Sequence, residues 1–216
     1  VALLSAAVLL YAVKLYIILA FLPGFVAFLW VRQNAQKPYL KYLTTLLLFL
    51  GVATNLRYLG SSFDIFQMLA VKQRDFMCLA EWVGSGSMVY IPRIDGTLVG
   101  TLAAVPNAMI NVLFRPWPLE ISSMLISFAM LENWIFILVF IYILWRPLHI
   151  PPSKINTLLL WMTFIIILYV LIGITTPVLG AIVRYKLPAW PFLIVMICTF
   201  TPQHKLRWIS KLIQRL

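Results

Sequence analysis

The stretch that decides the fold is residues 156–180, NTLLLWMTFIIILYVLIGITTPVLG, which contains no charged side chain. As an α-helix this stretch is long enough to cross a hydrocarbon layer about 30 Å thick. Residues 124–145 form a second such tract, with Glu132 as its single charge. Of the 216 residues, 63% are hydrophobic and 11% are charged, and the mean hydropathy is +0.98. These values exclude an ordinary soluble domain and a cleaved signal peptide, and they predict an all-α, polytopic membrane protein.

Four regions follow from the apolar tracts. Residues 1–59 are predicted to hold two spans, of which the first is kinked or broken near Pro23. Residues 60–120 contain five of the six acidic residues and form an external interfacial or re-entrant region. Residues 121–202 hold three further spans, and residues 203–216 form a basic amphipathic tail. The predicted spans cover 2–30, 42–58, 122–145, 156–180 and 189–200.

The external region divides into three predicted elements. Its first part, residues 64–83, has most of its polar positions on one helical face, with Gln73 as an exception, and this pattern is typical of a helix along the interface. Residues 88–91 read as a short extended segment. Residues 98–114 carry Pro106, Asn107 and Asn111 at their centre, which favours a re-entrant or semi-buried hairpin over a full span.

The distribution of basic residues predicts the topology. With five spans, one side of the membrane receives nine basic residues in three short segments: Arg32, Lys37, Lys41, Arg146, Lys154, Lys205, Arg207, Lys211 and Arg215. The positive-inside rule places this side in the cytoplasm and residues 60–120 outside. If residues 98–114 span instead, the count becomes ten against six with the 57–95 loop inside.

Polar residues near the apolar tracts are the candidate functional residues. Glu132 and Asn133 lie in the middle of a span and are expected to face inward, either to contact a substrate or proton or to fix helix packing. Arg115 precedes Pro-Trp-Pro, and Arg184 and Lys186 begin the run RYKLPAWP. These three cations could form a rim that binds a phosphate headgroup, and interfacial anchoring is the alternative.

Several function classes lack their sequence signals. There is no Gly-rich nucleotide-binding loop, no HExxH and no pair of histidines at metal-ligand spacing, so neither a metal nor a cofactor is predicted. The formal net charge of +11 indicates anionic lipid rather than nucleic acid as the partner, because the bases flank apolar tracts.

A set of short motifs lies between residues 72 and 191: KQRDF at 72–76, GS at 86–87, IDGT at 94–97, PNA at 106–108, LFRPWPLE at 113–120, LEN at 131–133 and the segment 180–191. This set resembles poorly characterised bacterial inner-membrane proteins of cell-surface polysaccharide loci. The run at 184–191 is also similar to the RYxxPxxP element of GT-C glycosyltransferases, which use polyprenyl-phosphate-linked sugars.

The resemblance implies a role in cell-surface glycan assembly and binding of a polyprenyl-phosphate lipid. Residues 31–42 contain no acidic residue at the place where such transferases carry a catalytic acid, so no catalytic residue is carried over and enzyme activity stays open. Because the chain begins at Val1 rather than Met, further helices upstream are one explanation. The alternative function is a non-catalytic membrane subunit that packs against larger partners in a secretion, motor or envelope complex.

Overall fold

The computed structural model describes residues 2–60, 63–117, 120, 124–144 and 152–200, and these parts are almost entirely helical. The α-helices within them are α1 (Ala2–Gln33), α2 (Pro38–Asn55), α3 (Ile65–Trp82), α4 (Leu98–Phe114), α5 (Met124–Leu144), α6 (Pro152–Thr175), α7 (Leu179–Lys186) and α8 (Trp190–Phe200). Extended pairing in these residues is limited to one isolated bridge, between Met88 and Val178. The all-α prediction is confirmed.

Four segments of the described residues are long and apolar enough to cross a membrane: Tyr16–Gln33, Pro38–Leu59, Pro152–Thr175 and Leu179–Met196. The 21-residue helix α5 coincides with the predicted span 122–145. The last predicted span, 189–200, starts too late in the chain, because α7 and a 3₁₀ turn at Leu187–Ala189 lead directly into α8. The 145–151 loop and the predicted tail at 203–216 lie outside the described residues.

Helix α6 is the centre of the bundle and packs most extensively on α1 and α4. On the α1 side, Ala20, Gly24 and Ala27 let the two backbones approach, and a Cβ added to Gly24 would lie 3.3 Å from a methyl group of Leu160. Small residues are what membrane helices use for close packing. These contacts lie on both sides of Pro23, and α1 continues through this proline, so a break there is wrong.

One end of the bundle is fastened by Asn156 at the start of α6. Its side chain donates to the carbonyl of Phe28 in α1 at 3.2 Å. The Tyr42 hydroxyl of α2 lies 3.0 Å from both the backbone oxygen and Oδ1 of Asn156, so its proton can be shared between them. The loop between α1 and α2 therefore lies at the same end of the bundle as the start of α6.

The opposite end is built from α3 and the segment 83–97. Asp64 caps α3 by accepting from the backbone N–H groups of Phe66 and Gln67. Within the segment predicted to be extended at 88–91, Met88 forms the bridge with Val178, and Val89 N–H donates to Pro177 O at 2.7 Å, just beyond the end of α6.

Gln73, the exception to the amphipathic pattern of α3, is the residue that joins these elements. Its side chain is 2% exposed. The amide nitrogen donates to the carbonyls of Pro92 and Ile174 at 2.9 Å, and the amide oxygen accepts from Ile94 N–H at 3.0 Å. With both of its N–H groups donating and its oxygen accepting, this buried amide ties α3, the 83–97 segment and α6 together.

The prediction of a hairpin at 98–114 is wrong, because α4 is one continuous helix through Pro106. The two asparagines that argued against a helix are satisfied within the fold. Asn111 donates to Asn107 Oδ1 at 2.8 Å and to Tyr90 O at 3.3 Å. On the α6 side, Ala108 meets Gly173, where an added Cβ would lie 2.3 Å from the alanine carbonyl oxygen. Small residues and paired amides thus keep the helix intact against α6.

Candidate functional site

The most distinctive polar group of the described residues is the Lys186 ammonium, which lies within the segment Leu179–Met196 and is 2% exposed. Its Nζ donates to Asn133 Oδ1 of α5 at 2.8 Å. Ionisable groups inside a membrane segment are costly and are kept where they have polar partners. Lys186 and Asn133 therefore form the centre of the candidate site.

Asn133 also binds the C-terminal end of α4. Its Nδ2 donates to Leu113 O at 2.7 Å and lies 3.4 Å from Arg115 O. The last carbonyls of a helix have no partner within the helix and carry the negative end of its dipole. Asn133 satisfies one of these carbonyls and presents its own oxygen to the Lys186 cation, so the three helices α4, α5 and α7 meet at one amide.

Arg115 follows α4 directly, and its guanidinium forms an ion pair with Glu120, with Nη1 and Oε1 3.2 Å apart. The Arg115–Pro116 peptide bond is cis, and Pro116 O accepts from the indole N–H of Trp134 at 3.3 Å. The Arg115 Nε is buried and has no hydrogen-bond partner in the described parts of the chain. The backbone of Arg115 thus belongs to the Asn133 network, while its side chain is held by Glu120.

Glu132 does not take the inward position expected for it, because its side chain is exposed whereas that of Asn133 is buried. Adjacent helical residues point about 100° apart, so only one of the two can face α4 and α7. Asn133 occupies that position because an amide can donate to a carbonyl and accept from an ammonium at the same time. Glu132 interacts electrostatically with Lys186 but is not in ion-pair contact with it.

The structure does not bring the three predicted cations to one surface. Arg184 is exposed, whereas Lys186, two residues later in the same helix, is buried. Two helical residues in this relation point about 200° apart, which separates their side chains. The binding of phosphate by Arg115, Arg184 and Lys186 remains a prediction, and of the three only Arg184 has an exposed side chain.

Two members of this network, Glu120 and Trp134, were not identified as site residues from the sequence, and both contact the 115–117 segment. Next to Lys186 in the chain, the ring of Tyr185 packs against those of Tyr16 and Phe76 at 6.0 and 6.4 Å. The signal for Trp134 was its position beside Asn133 in the span. No sequence pattern connects Tyr16 to Tyr185, because this contact depends on how α1 and α7 pack.

In the described ranges no three His, Cys, Asp or Glu side chains come together as metal ligands. Comparisons with protein-family models, curated proteins and solved structures gave no match to this chain.

Proposed function

We propose that the chain is a non-catalytic membrane subunit of a larger cell-envelope complex, and that α5 docks around Glu132 on a transmembrane helix of its partner. The observation that carries the proposal is the exposure of Glu132 in the middle of α5. An ionisable side chain at the centre of a spanning helix costs about 2.5–3.5 kcal/mol when it lacks a polar partner. Glu132 forms no ion pair within the described parts of the chain, and a contact from outside the chain would offset this cost.

The surroundings of Glu132 support a helical partner. Among the α5 residues whose side chains the structure describes, the exposed apolar ones recur at intervals of three and four, at Met124, Phe128, Leu131, Ile135, Leu138 and Ile141. That spacing forms one stripe along a helix and is the pattern by which helices pair. Since Glu132 lies at the edge of this stripe, the partner helix is expected to carry a Lys, an Arg or a hydrogen-bond donor at the matching depth.

The test is site-specific photocrosslinking in cells. A photoreactive residue at Leu138 should give one discrete adduct with a membrane protein that has a basic or donor residue within a span. The substitution Glu132→Lys should abolish the adduct, and the reciprocal change of the partner's basic residue to Glu should restore it. The control position is Leu47, which is exposed on α2. Adducts at Leu138 that are insensitive to Glu132→Lys, or equal to those at Leu47, would reject the proposal.

The second candidate function is binding of a polyprenyl-phosphate or other anionic lipid during cell-surface glycan assembly. Its specific support is Arg184, whose exposed guanidinium lies beside a proline- and aromatic-rich run that is similar to the GT-C element. Arg binds phosphate through two parallel hydrogen bonds that Lys cannot reproduce. Copurified lipid should therefore fall in Arg184→Lys. Equal lipid occupancy and equal surface-glycan output in wild type, Arg184→Lys and Arg115→Ala would exclude this function.

A further inference from the structure

A groove separate from the α5 surface lies between α3 and the segment 83–97. It contains a cavity of about 330 Å³ whose lining includes Arg74, Glu81, Arg93 and Asp95. Arg74 and Glu81 are seven residues apart on α3, so they lie on one helical stripe about 10 Å apart along the axis. Arg93 and Asp95 come from the opposing extended segment. Two guanidinium groups and two carboxylates therefore line a single cavity.

These four charged groups do not neutralise one another by direct contact. In the part of the chain that the structure describes, the Arg115–Glu120 pair is the sole ion pair. All four residues of the groove are exposed. The Thr97 hydroxyl and backbone N–H donate to Asp95 at 2.7 and 2.9 Å and hold the pKa of that carboxyl below its usual range, so Asp95 stays ionised near neutral pH. A ligand that carries both charges would match this lining.

The groove continues into an apolar neighbour. A second cavity of about 540 Å³ shares Met77 and Arg93 with the first and is otherwise lined by residues 88–91. Tyr90, which belongs to this lining, is 78% exposed. Exposed Trp and Tyr side chains are enriched at the level of lipid headgroups. The charged cavity thus opens beside a surface suited to acyl chains, which a soluble phosphate compound would not need.

We propose that this groove binds a zwitterionic phospholipid of the phosphoethanolamine type, with Arg74 and Arg93 on the phosphate and Glu81 and Asp95 facing the ammonium group. Arginine forms charge-assisted hydrogen bonds to phosphate oxygens, and carboxylates accept from ammonium. The lipid would bridge α3 and the 83–97 segment. Gln73, in the lining of the same cavity, already fastens these two elements to the end of α6.

The experiment is native mass spectrometry of the full chain in nanodiscs that contain phosphatidylethanolamine and phosphatidylglycerol in equal amounts. Wild type should retain phosphatidylethanolamine preferentially. Arg74→Gln and Arg93→Gln should each reduce that retention about tenfold, since each removes a charge-assisted contact. Glu81→Gln should shift the preference toward phosphatidylglycerol, because it removes one of the two carboxylates that face the amine and leaves both arginines.

Matched controls are Lys72→Gln and Asp75→Asn, which change exposed charges of α3 that do not line the groove. Both controls should bind like wild type. Soluble phosphoethanolamine added in excess should leave the phospholipid bound, because the acyl chains also contribute to binding. Release of the phospholipid would indicate a site for the headgroup alone. Equal retention of the two lipids by wild type, or equal losses in Arg74→Gln and Lys72→Gln, would overturn the proposal.

Discussion

Among single residues, Gly173 shows most directly how sequence determines packing. A Cβ at this position would lie 2.3 Å from the carbonyl oxygen of Ala108 and 2.7 Å from its Cα, and backbone atoms cannot rotate away as a side chain can. We expect Gly173→Ala to force α4 and α6 apart and to lower the free energy of unfolding by about 1–3 kcal/mol. Thermal unfolding in detergent measures the loss.

Gly51 supplies the control, since an added Cβ there meets no atom within 4 Å. In the interior of α2, Gly51→Ala should be neutral or stabilising by up to about 1 kcal/mol, because alanine has the higher helix propensity. The close contact of α4 with α6 would be disproved by equal unfolding temperatures for Gly173→Ala and wild type.

Between elements, the Lys186–Asn133 contact is expected to couple α5 to α7. Asn133→Leu removes the acceptor of a buried ammonium and a donor to Leu113 O, and leaving such groups unsatisfied costs about 1–3 kcal/mol each, with more for a charge. A chain that carries both Asn133→Leu and Lys186→Met should regain part of the lost stability, because it no longer holds a buried cation without a partner. A double-mutant cycle in detergent measures this coupling, with the exposed Arg184→Met as the control. Strictly additive effects of the two substitutions would contradict the coupling.

Helix positions could be predicted from the sequence because hydrophobic length and amphipathic pattern are local properties. Two departures from these local patterns involve polar residues that have a partner elsewhere in the chain. Asn107 and Asn111 suggested a hairpin, yet they bond to each other and to Tyr90 O. Gln73 broke the amphipathic pattern of α3 because its partners lie at Pro92, Ile94 and Ile174. In each case a tertiary hydrogen bond removes the cost that a local pattern assigns.

The candidate site was predictable in composition but not in geometry. The sequence placed a polar pair at 132–133 in a span and two cations at 184 and 186, and the structure does join one member of each pair. Which member faces inward depends on the rotation of α5 and α7 about their axes. That rotation is fixed by the end of α4 and by the Leu113 carbonyl, which local sequence patterns do not reveal.

For the whole molecule, the two ends of α6 define opposite faces of the bundle. Its first residues contact α1 and α2 through Asn156, near the basic 32–41 loop, and its last residues contact the 83–97 segment through Gln73. A 24-residue helix is about 36 Å long, which exceeds the hydrocarbon thickness of about 30 Å. The 32–41 loop and residue 87 should therefore lie on opposite sides of the membrane.

The positive-inside rule then predicts that the 32–41 loop is cytoplasmic and that Ser87 is external. In a background with Cys78→Ser and Cys198→Ser, Ser87→Cys should react with a membrane-impermeant maleimide on spheroplasts, and Gln36→Cys should react only in inverted vesicles.

Arg32, Lys37 and Lys41 concentrate the positive charge that anchors the 32–41 loop. Replacing all three with Gln should reduce the orientation preference without unfolding the bundle. The side chains of Arg32 and Lys37 are exposed, and Lys41 is half-buried near the start of α2.

Labelling of Gln36→Cys on spheroplasts, with Ser87→Cys protected, would reverse the predicted topology. Labelling of both from one side would contradict the placement of α6 as a membrane span.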